Sequence, residues 1–201
     1  MGTRNLIAVQ VGGEYKVAQY GQWDGYPSGQ GVGILNFLRE SNLGVFVEKV
    51  KATTWLDEEV IRERWAECGA DDSGWVSSDV SGKFDRYWPE LSRGFGSKIL
   101  AFIEASDPGL GLRNSIEFAG DGLFCEWAYV IDFDKNVLEV YEGFGEEPLD
   151  PGERFADAFI ETSGKTQYYP VRLIASFNLD ALPTDVEFIA ACCTDEEEEE
   201  E

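Results

Sequence analysis

One segment of the chain concentrates side chains of the kind that bind ligands. Residues 20–31 read YGQWDGYPSGQG and lie between a hairpin pattern and a helical pattern. A helix N-terminus presents unpaired N–H groups and glycines let a ligand approach the backbone, so an anion or a polar head group could bind here. The alternative is structural: the two aromatic rings and Pro27 pack over a sheet edge while Ser28 caps the helix. The residues predicted to bind a ligand or a partner are Arg4, Tyr20, Gln22, Trp23, Asp24, Tyr26, Ser28 and Gln30.

The glycines of this segment match a nucleotide-binding motif poorly. Gly29, Gly31 and Gly33 have the spacing G-x-G-x-G instead of G-x-G-x-x-G, and they follow a hairpin instead of a parallel β-α-β unit. No Walker-type lysine accompanies them. We therefore predict a site for a polar small molecule or a protein partner, and no cofactor.

Three cations are candidates to meet the carboxylate of Asp24. We expect Arg4 beside Asp24, because the first strand must lie against its own hairpin partner just before the loop. Arg93 and Lys98, on a predicted helix, are the other two. Ion pairing is the favoured interpretation of these cations, and anchoring of a substrate is the alternative.

A calcium-like spacing and a strand cysteine are the remaining chemical candidates. Asp132-x-Asp134-x-Asn136 opens like a calcium loop, but Val137 stands where that loop needs glycine, so a plain hairpin turn is predicted. Cys125 lies in a strand pattern, and the chain has no histidine that could serve as its base. We predict a core position for Cys125 and no metal site.

The composition excludes several classes of function. The 201 residues include 16 Lys and Arg, 39 Asp and Glu and no His, which gives a formal net charge of −23. Without His, a Ser-His-Asp triad, a Cys-His pair and zinc sites that use imidazole are all excluded. The strong negative charge argues against direct binding of nucleic acid.

The expected location is the cytoplasm, or the host cytoplasm if a phage encodes the chain. The N-terminus passes directly into an alternating apolar run, without a long apolar core behind basic residues. No window approaches eighteen continuous apolar residues, so no membrane span is predicted. Four cysteines without a repeating framework are typical of a reducing compartment.

Hydrophobic periodicity predicts an α+β fold. Apolar residues alternate in the strand patterns and recur at three and four residues in the helical ones. The predicted elements are a hairpin over 5–20, helices over 32–40, 56–68 and 91–103, a short strand over 45–51, a loop over 69–83, a hairpin over 123–141, a strand over 169–179 and a final element over 186–191. We expect a single globular domain, 1–194, with a mainly antiparallel sheet built from hairpins and with helices packed on it. The seven acids of 195–201 are expected to form a disordered tail.

The sequence resembles an uncharacterised protein family seen in bacteria, tailed phages and fungi. The stretches that carry the resemblance are Gly2-Thr3-Arg4, the YGQWDGYPSGQG segment, residues 90–93 with 98–100, and LFCEWAYVID at 123–132. No activity is established for that family, so the resemblance implies a microbial or phage setting and no catalytic residue. A looser likeness is to N-terminal-nucleophile hydrolases, and it would imply a similar layering. Those hydrolases use Cys, Ser or Thr as the nucleophile, and position 2 here is Gly2. Thr3 would become the nucleophile only after removal of two residues.

These observations favour a binding or inhibitory protein over an enzyme. An acidic surface could occupy the basic surface of a protein partner, or the loop at 20–31 could bind a polar small molecule. The alternative is a hydrolase, of the N-terminal-nucleophile type or dependent on carboxylates. A structural component of a phage particle is the third hypothesis.

Overall fold

In a computed structural model of the protein, residues 2–71, 75–158, 160 and 166–193 are described. The strands within these ranges are β1 (Asn5–Val11), β2 (Glu14–Gly21), β3 (Thr54–Trp55), β4 (Gly111–Leu112), β5 (Trp127–Asp132), β6 (Val137–Glu142) and β7 (Arg172–Asn178). The α-helices are α1 (Val32–Glu40), α2 (Leu43–Lys51), α3 (Glu58–Cys68), α4 (Ser78–Tyr87), α5 (Lys98–Ala105) and α6 (Asp185–Cys192). One π-helical turn, Pro27–Gly31, precedes α1, and 3-10 turns lie at Pro89–Leu91, Ile116–Gly120, Ala156–Ala158 and Leu179–Ala181.

Five strands form a mixed sheet in the order β2-β1-β5-β6-β7. All neighbours are antiparallel except β1 and β5, which run parallel with Asn5 opposite Trp127. A parallel pair needs a long crossover, and the chain between β2 and β5 supplies it with α1 to α5. The α+β fold and both predicted hairpins are confirmed.

The turns of the two hairpins are joined by the side chain of Asp134. Its carboxylate oxygens accept the backbone N–H groups of Gly12 and Gly13 at 2.8 and 2.7 Å. Both glycines have positive φ, 67° and 77°, which is the conformation that a tight turn requires. The predicted hairpin turn at 132–136 is therefore confirmed, and it also fixes the end of the first hairpin.

Helices α1, α2, α5 and α6 cover one face of the sheet. Alternate residues of β1 point to this face because side chains on a strand have a period of two. The largest fully buried aliphatic and aromatic side chains of this core are Ile7, Ile34, Leu35, Phe46, Ile99, Leu100, Ile103, Leu112, Tyr129 and Phe188. Burial of each such side chain stabilises the fold by roughly 1.5–3 kcal/mol before entropic costs.

Segments without α-helices cover the opposite face. The other residues of β1, Leu6 and Ala8, are buried here against Phe155 and Val171. The 3-10 turn at Ile116–Gly120 contributes Ala119 to the same cluster. The two faces of the sheet are thus closed by different kinds of structure.

The predicted strand over 45–51 is wrong, because this segment belongs to helix α2. Asn42 caps the helix by accepting the backbone N–H of Val45 at 3.2 Å. Phe46 and Val50 are buried, four residues apart on one helical face. The β-branched residues had suggested a strand, and packing of this face overrides that preference.

Part of the predicted loop over 69–83 is also wrong. Ser77 caps α4 by accepting the N–H of Val80, and α4 buries Phe84. The rings of Phe84 and Trp65 stack with centroids 3.6 Å apart, so α3 packs on α4. Not every helix packs on the sheet: the buried residues of α3, Ile61 and Cys68, belong to neither of the two sheet clusters.

The helix predicted over 91–103 is shorter in the structure. α5 begins at Lys98, after a 3-10 turn and the positive φ of Gly96, 56°. The predicted strand at 169–179 is confirmed as β7, and the final element is α6, which starts with a capping box of Thr184 and Glu187. Residues 194–201, and with them the predicted tail, lie outside the described residues. None of the described helices is long and apolar enough to cross a membrane.

Candidate functional site

The segment from Tyr20 to Gly31, here called the aromatic loop, is tied to the body of the protein by backbone hydrogen bonds. The N–H of Gln22 donates to the carbonyl of Arg93 at 2.8 Å. The N–H of Gly25 donates to the carbonyl of Thr3 at 2.9 Å, just before β1. The buried hydroxyl of Tyr129, in the central strand β5, donates to the carbonyl of Gly25 at 2.8 Å. The loop backbone is therefore held from three directions.

Gln30 links the aromatic loop to the start of α5. Its side-chain nitrogen donates to the carbonyl of Trp23 at 3.2 Å, and its oxygen accepts the N–H of Ser97 at 2.7 Å. A Cβ on Gly96 would lie 2.4 Å from the Gln30 oxygen, so this contact depends on glycine at that position. Gln30 thus acts as a brace for the loop instead of an open ligand contact.

Two uncommon backbone conformations occur within the loop. Asp24 has φ 55°, which a non-glycine residue adopts infrequently. Pro27–Gly31 forms a single π-helical turn, a feature that is frequent at functional sites. Residues held in uncommon conformations persist because the surrounding contacts determine them, and such positions cluster at binding and catalytic sites.

The side chains of Trp23 and Tyr26 are about half exposed. Trp23 is 49% exposed and Tyr26 is 41% exposed. The hydroxyl of Tyr26 donates to Asp24 at 3.2 Å, and the Asp24 carboxylate raises the pKa of Tyr26 above its ordinary value. The covered part of the Trp23 ring lies beside Gly2, just before β1, and that of the Tyr26 ring beside Gly29. Pro27 is buried. Ser28 is exposed and makes no capping hydrogen bond.

Tyr20 and Gln22 form the flank of the loop. The Tyr20 hydroxyl donates to the side-chain oxygen of Gln22 at 2.6 Å. The Tyr20 ring meets Phe118 edge to face, with centroids 4.9 Å apart. Burial raises the pKa of Tyr20, against the opposing charges of Arg4 and Arg93. Tyr20 therefore stays protonated and donates.

The expected pairing of Arg4 with Asp24 is wrong. The Nε of Arg4 lies 3.6 Å from a carboxylate oxygen of Glu126, and its guanidinium carbon lies 4.5 Å from the centroid of the Phe124 ring. Its backbone N–H also donates to Glu126, at 3.1 Å. Arg4 thus joins β1 to the chain before β5. Its neighbour Asn5 is fully buried beneath the aromatic loop.

A cavity of about 380 Å³ opens beside the aromatic loop, and sequence reasoning missed most of its lining. Tyr20 and Arg93 form one side, and Arg113 and Ser115 come from the chain after β4. Among the described residues, Arg93 and Lys98 make no ion pair with Asp24. The ion pairing with Asp24 that was the favoured interpretation of these two cations is therefore not observed. No local sequence pattern signals this site, because its residues meet only through the tertiary fold.

Cys125 is a core residue, as predicted. Its side chain is fully buried among apolar neighbours such as Ala119 and Val130. Burial raises the pKa of the Cys125 thiol well above its ordinary value. A nucleophilic cysteine needs a lowered pKa, so this thiol is not activated.

A buried charge cluster on the sheet is the other feature that sequence reasoning missed. Arg154 donates to the carboxylates of Asp132 and Glu139, the latter at 2.6 Å. It also donates to the hydroxyls of Tyr141 and Tyr15 at 3.0 and 3.2 Å. The sequence signal that could have indicated this cluster is an acid within each of two largely apolar strands, Asp132 in β5 and Glu139 in β6. The cluster ties the chain after β6 to the sheet.

In comparisons with known proteins, no family model, no curated protein and no solved structure matches the chain. The resemblances noted for the sequence therefore remain predictions. Over the part of the chain that the structure describes, no three Cys, Asp or Glu side chains are grouped so that they could hold a metal ion.

Proposed function

We propose that the protein binds a protein partner with a basic surface, and that the aromatic loop is the contact point. The observation that carries the proposal is the contrast within this loop. Its backbone is tied to β5, to the chain just before β1 and to the start of α5, while nearly half of Trp23 and of Tyr26 stays exposed to solvent. A backbone that is already ordered loses little conformational entropy when a partner binds.

The residue types of the loop suit a binding hot spot. Trp and Tyr supply large contact areas with few rotatable bonds, and they are enriched among the residues that carry most of the binding energy at interfaces. Asp24 stands between Trp23 and Tyr26 and presents an exposed carboxylate. It would pair with a basic side chain of the partner while the flanking rings exclude water.

The charge of the chain supports a basic partner. A net charge of −23 produces a negative field that accelerates the approach of a positively charged surface. An inhibitory effect follows when the surface that the loop covers is the one the partner needs for its own work. A polar small molecule at the same loop is the milder form of this proposal.

The rival hypotheses have no observation in their favour. A thiol hydrolase would need an activated cysteine, and Cys125 is buried with a raised pKa. The buried acids Asp132 and Glu139 both bond to Arg154, which leaves neither carboxylate free as a base. The N-terminal-nucleophile hydrolase and the structural phage component remain predictions from the sequence.

The test is affinity capture with matched aromatic variants. Full-length protein, Trp23→Ala, Asp24→Asn and Tyr87→Ala are immobilised and exposed to lysate of a microbial host. Tyr87 is the control because it is an exposed aromatic residue, 65% exposed, on α4. The partner that wild type retains is then purified and its affinity measured against each variant.

We expect Trp23→Ala and Asp24→Asn to lower the affinity about tenfold or more, as removal of a hot-spot residue does. Tyr87→Ala should bind within about twofold of wild type. All variants should keep the circular dichroism spectrum of wild type, since the two side chains in the loop are exposed. Equal affinity of all four proteins, or an association rate that does not fall with added salt, would contradict the proposal.

A further inference from the structure

We infer that the cavity between Tyr20, Arg93 and Arg113 is a binding site for a small organic anion. This site shares Tyr20 with the aromatic loop but is separate from the protein contact proposed for Trp23 and Tyr26, because neither of these residues lines it. Its volume, about 380 Å³, lies in the range of small-molecule sites. Tyr20 also lines a neighbouring cavity of about 800 Å³, together with both arginines.

Arg93 is the cation on which the inference rests. Its side chain is exposed and forms no ion pair with any described residue, although acids outnumber bases 39 to 16 in the chain. Its backbone is nevertheless fixed, since its carbonyl accepts the N–H of Gln22 at 2.8 Å. A guanidinium that lines a cavity and has no acid as an ion-pair partner among the described residues is suited to bidentate binding of a carboxylate or a phosphate.

Arg113 approaches the cavity from the opposite chain segment. Its Nε and one terminal nitrogen donate to Glu58 at 3.1 and 2.9 Å, which holds the guanidinium in one orientation. This pair neutralises one acid of the lining. A second acid, Asp121, accepts the backbone N–H of Phe124 at 3.2 Å. A hydrogen bond leaves the charge of Asp121 in place, so Asp121 and Glu117 could both face a cationic part of the ligand.

Uncharged donors complete the site. Asn114 uses its side-chain oxygen to accept the N–H of Ile116 at 3.0 Å, which leaves its amide nitrogen available. Among the described residues, neither this nitrogen nor the Ser115 hydroxyl has a hydrogen-bond partner. Both residues line the cavity with Arg93. An oxyanion bound there would accept hydrogen bonds from several directions.

The body of the ligand is expected to be apolar or aromatic. The rings of Tyr20 and Phe118 form a wall of the cavity, in edge-to-face contact with each other. Leu91 lies on the same lining. The structure therefore favours a molecule with one oxyanion group attached to a small planar or apolar body.

The test is calorimetric titration of the full chain at low salt with benzoate, phenyl phosphate and the neutral isostere benzamide. The variants are Arg93→Gln and Arg93→Lys, and Arg86→Gln is the matched control. Arg86 is an exposed arginine of α4 that lines none of the described cavities beside the loop. Its replacement makes the same change in net charge.

We expect benzoate or phenyl phosphate to bind wild type and Arg86→Gln equally, and to bind Arg93→Gln about tenfold more weakly. Wild type should bind benzamide more weakly than benzoate by a similar factor. The affinity of Arg93→Lys for the anions should lie between those of wild type and Arg93→Gln. Whichever anion binds more tightly identifies the oxyanion group, carboxylate or phosphate, that the site prefers. Trp23→Ala should leave these affinities within about twofold, so failure of the loop proposal is distinguishable from failure of this one.

Equal weakening by Arg93→Gln and Arg86→Gln would mean that only the general field attracts the anion, and this would overturn the inference. Equal affinity for benzoate and benzamide would overturn it as well, because the oxyanion would then contribute nothing. Absence of binding by both anions at millimolar concentration would have the same meaning.

Discussion

Replacement of Arg154 with methionine tests the buried charge cluster most directly. The Arg154 side chain is only 9% exposed and bonds to Asp132, which is fully buried, and to Glu139, which is 8% exposed. Arg154→Met removes the guanidinium but keeps a long apolar side chain in its place. Lys135 lies 4.0 Å from Asp132 and 3.7 Å from Glu139, but it is 63% exposed and solvent weakens its charge. Asp132 then keeps two backbone N–H donors and Glu139 keeps the Tyr141 hydroxyl, but both carboxylates lose their buried cation.

The expected loss of stability is large. Removing one partner of a buried ion pair costs about 3–5 kcal/mol, because an uncompensated charge remains in a poorly solvated position. That is a major fraction of the roughly 5–15 kcal/mol by which a domain of this kind is stable. Met fills much of the volume of Arg, so little of the loss should come from a cavity.

The pH dependence of this loss follows from Asp132. Burial alone would raise its pKa, but hydrogen bonds from Arg154 and from the N–H groups of Lys135 and Asp134, with the guanidinium charge, hold its pKa below the usual value. Asp132 therefore stabilises the wild type above the unfolded pKa of about 3.9, and this contribution is lost as the pH falls through the lower folded pKa. In the variant, burial prevails and the pKa rises. The penalty of Arg154→Met should thus be largest near neutral pH and shrink toward pH of about 4.5.

The assay is urea unfolding of wild type, Arg154→Met and the control Arg86→Met at both pH values. Arg86 is exposed on α4, so its replacement should change the free energy of unfolding by less than about 0.5 kcal/mol. A loss below about 1 kcal/mol for Arg154→Met at neutral pH would refute the assignment of a buried charge cluster. A loss that does not change with pH would show that the missing contacts are those of packing and not of charge.

Two further substitutions test the loop and a helix, and one labelling experiment tests the thiols. Gly25→Ala places a Cβ 2.7 Å from the carbonyl oxygen of Thr3, and we expect a loss of about 1–3 kcal/mol in urea unfolding. Gly82→Ala, inside α4 with nothing within 4 Å of the new Cβ, should instead stabilise the protein by about 0.5–1 kcal/mol. A loss of stability in this variant would contradict the free space around Gly82. Of the four thiols, the exposed Cys193 should react rapidly with Ellman's reagent and the three buried ones only after unfolding, so a second rapid equivalent would place another thiol at the surface.

The elements with strong local signals are the ones that the sequence predicted correctly. Alternation in β1 and the Gly12-Gly13 turn define the first hairpin without help from the rest of the chain. The run over 45–51 shows the limit of such signals, because its β-branched residues suit a strand and its spacing also suits a helix. Tertiary packing of Phe46 decided between them, and a single sequence does not contain that information.

The same limit applies to the candidate site. Composition alone singled out the aromatic loop, since its density of Gly, aromatic and polar residues is visible in one stretch. The partner of Arg4 was predicted wrongly because Glu126 lies 122 residues away along the chain and reaches Arg4 through the parallel pairing of β1 with β5. Arg113 was missed for a similar reason. A crossover connection brings distant segments together, and local patterns do not record it.

The placement of the cations explains how so acidic a chain can keep both a stable core and a local site for an anion. Arg154 pairs with both acids that the sheet buries, and the exposed Lys135 adds a weaker attraction to them. Arg4 joins the chain before β5 to β1, beneath the aromatic loop. Arg93 is fixed by its backbone but has no acid as an ion-pair partner among the described residues. Because repulsion by the remaining acids would keep anions away from most of the surface, we expect an anion to bind beside an arginine such as Arg93, whose charge opposes that repulsion.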